Sequence, residues 1–376
     1  MDGSPVTSSW FRRILLPGLA FKAVVIGGGY ATGRELVEFF LGSGPRGGLA
    51  GMCLAMGTWS LVCAVAFLFA RAVNAYDYRS FFTAMFGRFW LAFEVPYLLF
   101  LVLILAVLTA AAGTIASAVL GLPPFAGALL LAAGIVGITT FGNLAAEMLF
   151  RNASILIYLT YAAFLVLALL SFGPRIVPAF QAHPEVDGWA SGGIRYASYN
   201  VVAVVAVLPF VRFMSSSRDA LVAGMLSGPI AMLPALLFFI CMTAFYPAIG
   251  MEALPSDYLL RQMHAPWFRI VYQLMIFCAL LETGVGVVNA FNERISQARL
   301  ARGRDSLSPV GRMVISAALL LGSAHVAGRI GLIDLIARGY GAFGYIMLAV
   351  FVLPLLFIGL RRLVAGGFPV ASARSN

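Results

Sequence analysis

The chain has 376 residues, of which 61% are hydrophobic and only 11% charged, with a formal net charge of +10. A soluble domain carries about a quarter charged residues, so this composition excludes a water-exposed globular protein and points to lipid as the solvent. The basic residues are scattered over short loops without forming a patch, so the positive charge gives no support to nucleic-acid binding.

Ten apolar segments follow one another at 14–41, 48–71, 92–119, 123–146, 153–172, 190–213, 220–246, 267–292, 311–330 and 338–360. A spanning helix needs about 20 apolar residues. Barrel strands alternate and need about ten, so these segments predict helices that satisfy their own backbone bonds. The expectation is one all-α polytopic transmembrane domain over residues 1–376. The first apolar run lacks a small-residue cleavage site and leads into a charged stretch, so it reads as a span and not a signal peptide. With the N-terminus placed in the cytoplasm, the inner side holds sixteen arginines: Arg12, Arg13, Arg71, Arg79, Arg88, Arg151, Arg212, Arg218, Arg294, Arg299, Arg302, Arg304, Arg312, Arg361, Arg362 and Arg374. Seven fall to the outer side: Arg46, Arg175, Arg195, Arg261, Arg269, Arg329 and Arg338. That asymmetry predicts an inner-membrane protein with both termini cytoplasmic. The densest run, "RISQARLARGRDS", reads as an inner loop, with anionic lipid head groups as the alternative ligand.

The first segment carries "VVIGGGYATGRELVEFF" at residues 24–40. A dinucleotide fingerprint counted from Gly27 fails at its sixth place, which is Thr32. Glycine costs about 1 kcal/mol relative to alanine inside a helix, so Gly27, Gly28, Gly29 and Gly33 predict a break near mid-membrane. Backbone freed there must face protein, ions or a water-filled cavity. A half-helix starting near Gly33 would offer its N-terminus to a carboxylate, and carbonyls near Ile26 to Gly29 would favour a cation. Tight helix packing by the glycines is the alternative. Lys22 either snorkels to the inner surface or finds a partner within the bundle. Arg34 is four residues before Glu38 and can pair with it; Glu35 either orients the break or lines an outer vestibule.

In the third segment Thr109 and Thr114 are the polar candidates. The sixth contains "RYASYNVVAVVAVLPFVRF", in which Ser198, Tyr199 and Asn200 are polar at depth and Pro209 follows. It reads as a second break or as a helix with an interfacial Tyr and Asn. In the eighth, Glu282 is a functional candidate by its depth. It can carry a proton, pair with Arg34 or form a cavity wall. Asn289 and Asn292 line an inner gate or bond between helices. Cys53, Cys63, Cys241 and Cys278 form no Cys-x-x-Cys pair and read as packing residues. His183, His264 and His325 are far apart, which disfavours a zinc hydrolase. The segments divide into 14–172 and 190–360. An odd number in each half gives opposite orientations, the condition for an inverted repeat, and predicts that the first and sixth helices are both interrupted.

"GGGYATGRELVEFF" resembles the "GAGFASGQE…FF" signature of the YkvI-type family of membrane transporters, within the amino acid–polyamine–organocation superfamily. "LLETGVGVVNAFNER" resembles that family's glycine-rich eighth helix. Arg34 departs from the pattern, which has glutamine there, and Tyr30 and Thr32 replace Phe and Ser. The resemblance implies a LeuT-like 5+5 fold with the solute between the broken helices. Candidate solute-binding residues are Gly28, Gly29, Tyr30, Ala31, Thr32, Gly33, Thr109, Tyr199 and Asn200. It also implies a sodium ion at the Thr283 hydroxyl and the carbonyls near Ile26 and Gly29, with Glu282 as the proton-carrying alternative. Arg34, Glu35 and Glu38 form a charge network.

The expected function is a secondary active transporter of a small polar solute, coupled to sodium or protons. Arg34 and the half-helix end favour a carboxylate-bearing solute such as an amino acid, whereas Glu35 and Glu282 would select an amine. The alternative is a membrane-embedded sensor. An enzyme would need a nucleophile–base or metal constellation, and the sequence shows none. A metal-ion transporter of the same fold would carry a "DPGN"-like first break and a methionine in the sixth helix, and neither is present. The expected partners are the small solute and membrane lipid. No cofactor is expected apart from a bound sodium ion.

Overall fold

The structure, a computed structural model, describes residues 9–141, 143–183, 186–300 and 302–365, with the backbone alone at residues 28, 141 and 143–155. Arg374 and the Arg151 side chain, both assigned to the inner side above, lie outside the described residues. Every regular element among the described residues is helical. Seven runs are long and apolar enough to cross a membrane: Arg34–Ala72, Leu91–Leu120, Leu156–Ala182, Ser217–Thr243, Pro266–Leu300, Pro309–Ile330 and Leu332–Ala365. Counting the bent pair Trp189–Asn200 and Ala203–Val211 as one span gives eight. The expected first and fourth segments fall short by length, the first because it is broken and the fourth because its helix is short.

The first segment is cut into α1 (Leu16–Val25), α2 (Gly28–Thr32) and α3 (Arg34–Phe39). Ile26 leaves the helix at ψ 73°, and Gly27 is extended at φ −93°, ψ −171°. Gly33 takes φ +80°, a left-handed conformation that suits glycine. The Thr32 hydroxyl donates to the Gly29 carbonyl at 2.9 Å, and the Gly33 N–H donates to the Tyr30 carbonyl at 3.0 Å. The interrupted backbone is thus partly satisfied by its own residues.

The remaining helices are α4 (Gly44–Ala72), α5 (Tyr78–Phe86), α6 (Leu91–Leu120), α7 (Pro124–Phe141), α8 (Asn143–Ala182), α9 (Trp189–Asn200), α10 (Ala203–Val211), α11 (Ser217–Thr243), α12 (Pro255–Gln262), α13 (Pro266–Leu300) and α14 (Pro309–Ile330), followed by the last run, Leu332–Ala365. The sixth segment bends by 53° between α9 and α10. Pro209 lies beyond that bend, inside α10. At the bend itself, Ser198 and Asn200 donate to the carbonyls of Ile194 and Tyr196 at 2.7 and 3.1 Å. Such side-chain bonds compete with the backbone ladder and bend helices.

The helices pack in two groups. In one, α4 lies against α11, α9 and α10, and α1 lies against α11 and α10. In the other, α6, α7, α13 and α14 pack on one another. The short α2 touches α6 and α13, so the first break sits at the seam between the groups. Helix α8 lies against α11 and α13, and the last helix packs on α9 and α6. Close approach within the first group needs glycine. A methyl on Gly224 would lie 2.3 Å from the Ala64 Cα, and one on Gly192 would lie 1.9 Å from the Phe39 carbonyl oxygen. Small residues are how helices approach closely in lipid.

Gly192→Ala therefore forces two backbones apart, and overpacking of this kind costs on the order of 1–3 kcal/mol or more. Thermal unfolding in detergent is expected to show a lower Tm for Gly192→Ala. Gly57→Ala, which has nothing within 4 Å, is expected to leave Tm unchanged or slightly raised.

Candidate functional site

A cavity of about 70 Å³ lies where the two interrupted segments meet. Gly27, Gly29 and Glu35 line it from the first break, and Tyr199, Asn200 and Ala203 from the second. Helix α6 contributes Phe100, Ile104 and Leu108, which repeat every four residues on one face. Thr283 of α13 and Tyr340 of the last helix complete the wall.

Glu35 is the charged group of this cavity among the described residues that line it. Its side chain is buried, and Oε2 accepts a hydrogen bond from the Tyr199 hydroxyl at 2.7 Å. That bond joins the two breaks directly. The carboxyl rests on Gly29, where a methyl group would come within 2.0 Å of Oε1. Gly29 is therefore the residue that lets the carboxyl sit beside the broken backbone. An aromatic cluster covers this end. Tyr199 lies 4.8 Å from Tyr340 and 5.9 Å from Phe100, centroid to centroid, and Phe39 lies 5.5 Å from Tyr199. On the α1 side the wall includes Val24, which is 47% exposed.

Of the expected solute-binding residues, Gly29, Tyr199 and Asn200 line the cavity, and of the expected ion-coupling residues Gly29 and Thr283 do. Ile26 is not among the lining residues, although its neighbours Val25 and Gly27 are. Gly28 opens α2, and only its backbone is described. Four others are corrected in position. Tyr30 is fully buried against Tyr161, at 6.5 Å between centroids. Ala31 accepts a bond from the Tyr272 hydroxyl at 3.3 Å, and Thr32 spends its hydroxyl on Gly29. A methyl on Gly33 would strike Phe238 at 2.5 Å. The turn of α2 and the residue after it are packed by other helices, α8 through Tyr161, α13 through Tyr272 and α11 through Phe238.

Thr109 is also corrected. It follows Leu108 by one residue, about 100° around the helix, and its hydroxyl donates to the carbonyls of Leu105 and Ala106. With Thr114 it lines a separate cavity between α6, α7 and α14. The face that α6 turns to the candidate site is apolar.

Arg34 does not reach the cavity. One of its terminal nitrogens donates to the carbonyls of Gly250 and Glu252, each at 3.0 Å, and the other pairs with Glu38 at 3.3 Å. It thereby ties α3 to the 246–262 loop. The same loop is tied to α13 by Asp257, whose carboxylate takes two bonds from Arg269 at 2.6 and 3.0 Å and one from Gln273 at 2.9 Å. Arg261 bridges Glu252 and Asp257 at 3.1 and 3.4 Å. Glu282 is half-buried, and the pairing with Arg34 is not formed. Neither Glu282 nor Lys22 has an ion-pair partner among the described residues. The Lys22 ammonium instead lies over the Tyr158 ring at 4.2 Å, and Glu282 is within electrostatic reach of that same tyrosine. Asn292 donates to the Ser316 hydroxyl at 3.1 Å, a bond between α13 and α14.

The sequence leaves two roles open for Glu35 and does not single out Phe100, Ile104, Leu108, Ala203 or Tyr340, all of which line the cavity. A signal for Glu35 was present. Arg34 and Glu38 share one stripe of α3, and Glu35 lies about 100° away on the inward face. Thr283 and the backbone of the first break both line the cavity and can offer oxygen atoms, a chemistry that fits a hard cation. Among the described residues no group of three or more His, Cys, Asp or Glu is placed to hold a metal.

The chain matches no protein-family model. It is 24% identical over 343 residues to the uncharacterized membrane protein YkvI of Bacillus subtilis strain 168, covering 88% of this chain and 92% of that one. Its structure superposes on a substrate-bound, outward-open Na+-coupled sialic acid symporter with a TM-score of 0.64 at 14% identity, covering 91% of this chain and 78% of the other. It also superposes on a manganese transporter of Eremococcus coleocola with a TM-score of 0.55 at 12% identity, covering 95% and 80%. These likenesses show a shared fold. The chain is an integral membrane protein with the fold of transporters, and fold alone does not separate an organic solute from a metal ion.

Removing Arg34 leaves two loop carbonyls and Glu38 without their donor. Hydrogen bonds to charged groups contribute about 1.5–3 kcal/mol. Arg34→Ala is expected to lower Tm accordingly and to expose the 246–262 loop to protease, while leaving affinity at the cavity unchanged. A loss of ligand affinity with unchanged Tm would show that Arg34 serves the site and not the loop.

Proposed function

We propose that the chain is a LeuT-like secondary active transporter, related to the YkvI family, that moves a small polar solute by alternating access. The observation that carries this reading is the meeting of two interrupted segments at one cavity on the seam between two packed groups of helices. Division of the chain at 14–172 and 190–360 supports a 5+5 inverted repeat. The second segments of the halves, α4 and α11, pack together, as do the third and fourth, α6 and α7 with α13 and α14. Corresponding places in each half thus do corresponding work, as inverted-repeat transporters require.

In this reading the group holding α1, α4, α9, α10 and α11 rocks against the group holding α6, α7, α13 and α14. The rings of Tyr199, Tyr340 and Phe100 bar one route to the cavity, and movement of α1 opens the other. Coupling needs an ion that binds one arrangement better than the other. Sodium would sit between the Thr283 hydroxyl and the first break. A proton would sit on Glu282, one residue before Thr283, unpaired and within reach of the tyrosine that Lys22 covers. The basis for a carboxylate-bearing solute falls away with Arg34 committed to the loop.

The test has two stages. Purified protein in detergent is screened for Tm shifts by amino acids, amines and small carboxylates, in sodium and in choline buffer at two pH values, since a ligand stabilises in proportion to its saturation. The solutes that bind are then followed into proteoliposomes under a sodium or a pH gradient. Accumulation under one gradient is expected. Binding without flux under either gradient would make the chain a sensor and overturn the proposal. Glu282→Gln is expected to keep solute exchange and lose accumulation under a pH gradient by at least about tenfold. Unchanged accumulation and ion dependence would remove Glu282 from coupling.

A further inference from the structure

We infer that the occupant of the cavity is a small organic cation, an amine or methylated ammonium compound with an apolar body and no carboxylate of its own. This inference rests on the cavity being the solute site and names the chemistry it accepts.

The charged function that faces the cavity, among the described residues that line it, is an acceptor, the Glu35 carboxyl; the hydroxyls of Thr283 and Tyr340 can accept as well as donate. Glu35 gives one oxygen to Tyr199, and its other oxygen has no protein donor among the described residues. Asn200 spends one amide N–H on the Tyr196 carbonyl, which leaves its side-chain oxygen and its second N–H. No cation among the described residues that line the cavity balances Glu35. Arg34, the residue before Glu35, is bound to Gly250, Glu252 and Glu38. Lys22 lies over Tyr158, and neither arginine nor lysine lines the cavity among the described residues. A buried carboxylate without a counter-ion is costly unless it takes up a proton or something positive joins it.

The place an anion would take is already occupied. Broken helices of this kind offer backbone N–H groups at the break, but α2 is only five residues long. Glu35 presses its own carboxyl against Gly29 at that point. An incoming carboxylate would meet the Glu35 carboxyl there, and like charges so close repel. The rest of the wall suits the apolar part of an amine. Phe100, Ile104 and Leu108 form one side, and the rings of Tyr199 and Tyr340 lie 4.8 Å apart above it, an arrangement that can receive an ammonium group through cation–π attraction. The volume of about 70 Å³ holds several water molecules, which limits the occupant to a handful of heavy atoms.

The test uses the purified full chain and a matched set of probes: isobutylamine, tetramethylammonium, isovalerate, valine and Mn²⁺ alone, each read by Tm shift and by calorimetric titration. The expected result is binding of the two cations, no binding of isovalerate, and weaker binding of valine than of isobutylamine. Glu35→Gln keeps an acceptor for Tyr199 and is expected to weaken amine binding at least about tenfold, with an unliganded Tm close to that of the parent. Tyr199→Phe, which keeps the carboxylate, is expected to retain the preference for amine over carboxylate. Ala203→Phe, which fills the cavity, is expected to abolish binding. Isovalerate or valine binding that is abolished by Ala203→Phe overturns the cation inference while keeping the cavity as the solute site. Amine binding untouched by Ala203→Phe overturns the cavity reading itself. Glu35-dependent binding of Mn²⁺ without amine binding, or no amine binding at all, also overturns the inference.

Discussion

Backbone that leaves the helical path inside a membrane must find its hydrogen-bond partners in protein or trapped water, because lipid offers none. That constraint organises this molecule. The chain breaks near Gly27 and at Gly33, and again between Asn200 and Ala203, and both breaks are turned inward. The hydroxyl of Tyr199 donating to Glu35 is the point at which the two breaks satisfy each other, and the cavity is the space left beside that bond. Glycine serves two separate ends here. At Gly33 it supplies a backbone angle, and at Gly29 it supplies room for a carboxyl.

The two groups of helices explain why the site lies where it does. A cavity inside one rigid body would have fixed access, whereas a cavity at a seam changes access when the bodies shift. Glu35 belongs to the segment that lies against both groups. Phe100, Ile104, Leu108 and Thr283 come from one group, and Asn200 and Ala203 from the other. Its lining is therefore divided between the two packed groups, which is the arrangement the proposed alternating access calls for.

Legibility in the sequence followed the range of the physics involved. The all-helical class was legible because hydropathy acts residue by residue, and the first break because glycine propensity is local. The bend of the sixth segment was signalled by Ser198 and Asn200, whose short polar side chains compete for nearby carbonyls, and not by Pro209. Thr109 misled because a buried threonine can satisfy its hydroxyl on its own helix, so polarity in an apolar run does not reveal which way the residue faces. Arg34 misled for a different reason. Its partners are carbonyls of Gly250 and Glu252, more than two hundred residues away, and main-chain oxygens leave no mark in a sequence. Once Arg34 is accounted for, Glu35 stands as the charge at the site. Asp257 and Arg269 were equally hidden, since only the turn between α12 and α13 brings them together.

The 246–262 loop is moored to both bodies at once, by Arg34 to the broken first segment and by Asp257, Arg269 and Gln273 to α13. The moorings are unequal. The α13 side has a buried carboxylate gripped by two side chains, while the α3 side has one guanidinium reaching two carbonyls and a partly buried Glu38. In the alternating-access reading proposed above, a parting of the bodies on this face would break the weaker mooring first and leave the 246–262 segment with α13, so that Arg34 would act as a clasp set by two carbonyls and one carboxylate. Residues outside the cavity lining would then set how often the cavity is offered to that side of the membrane.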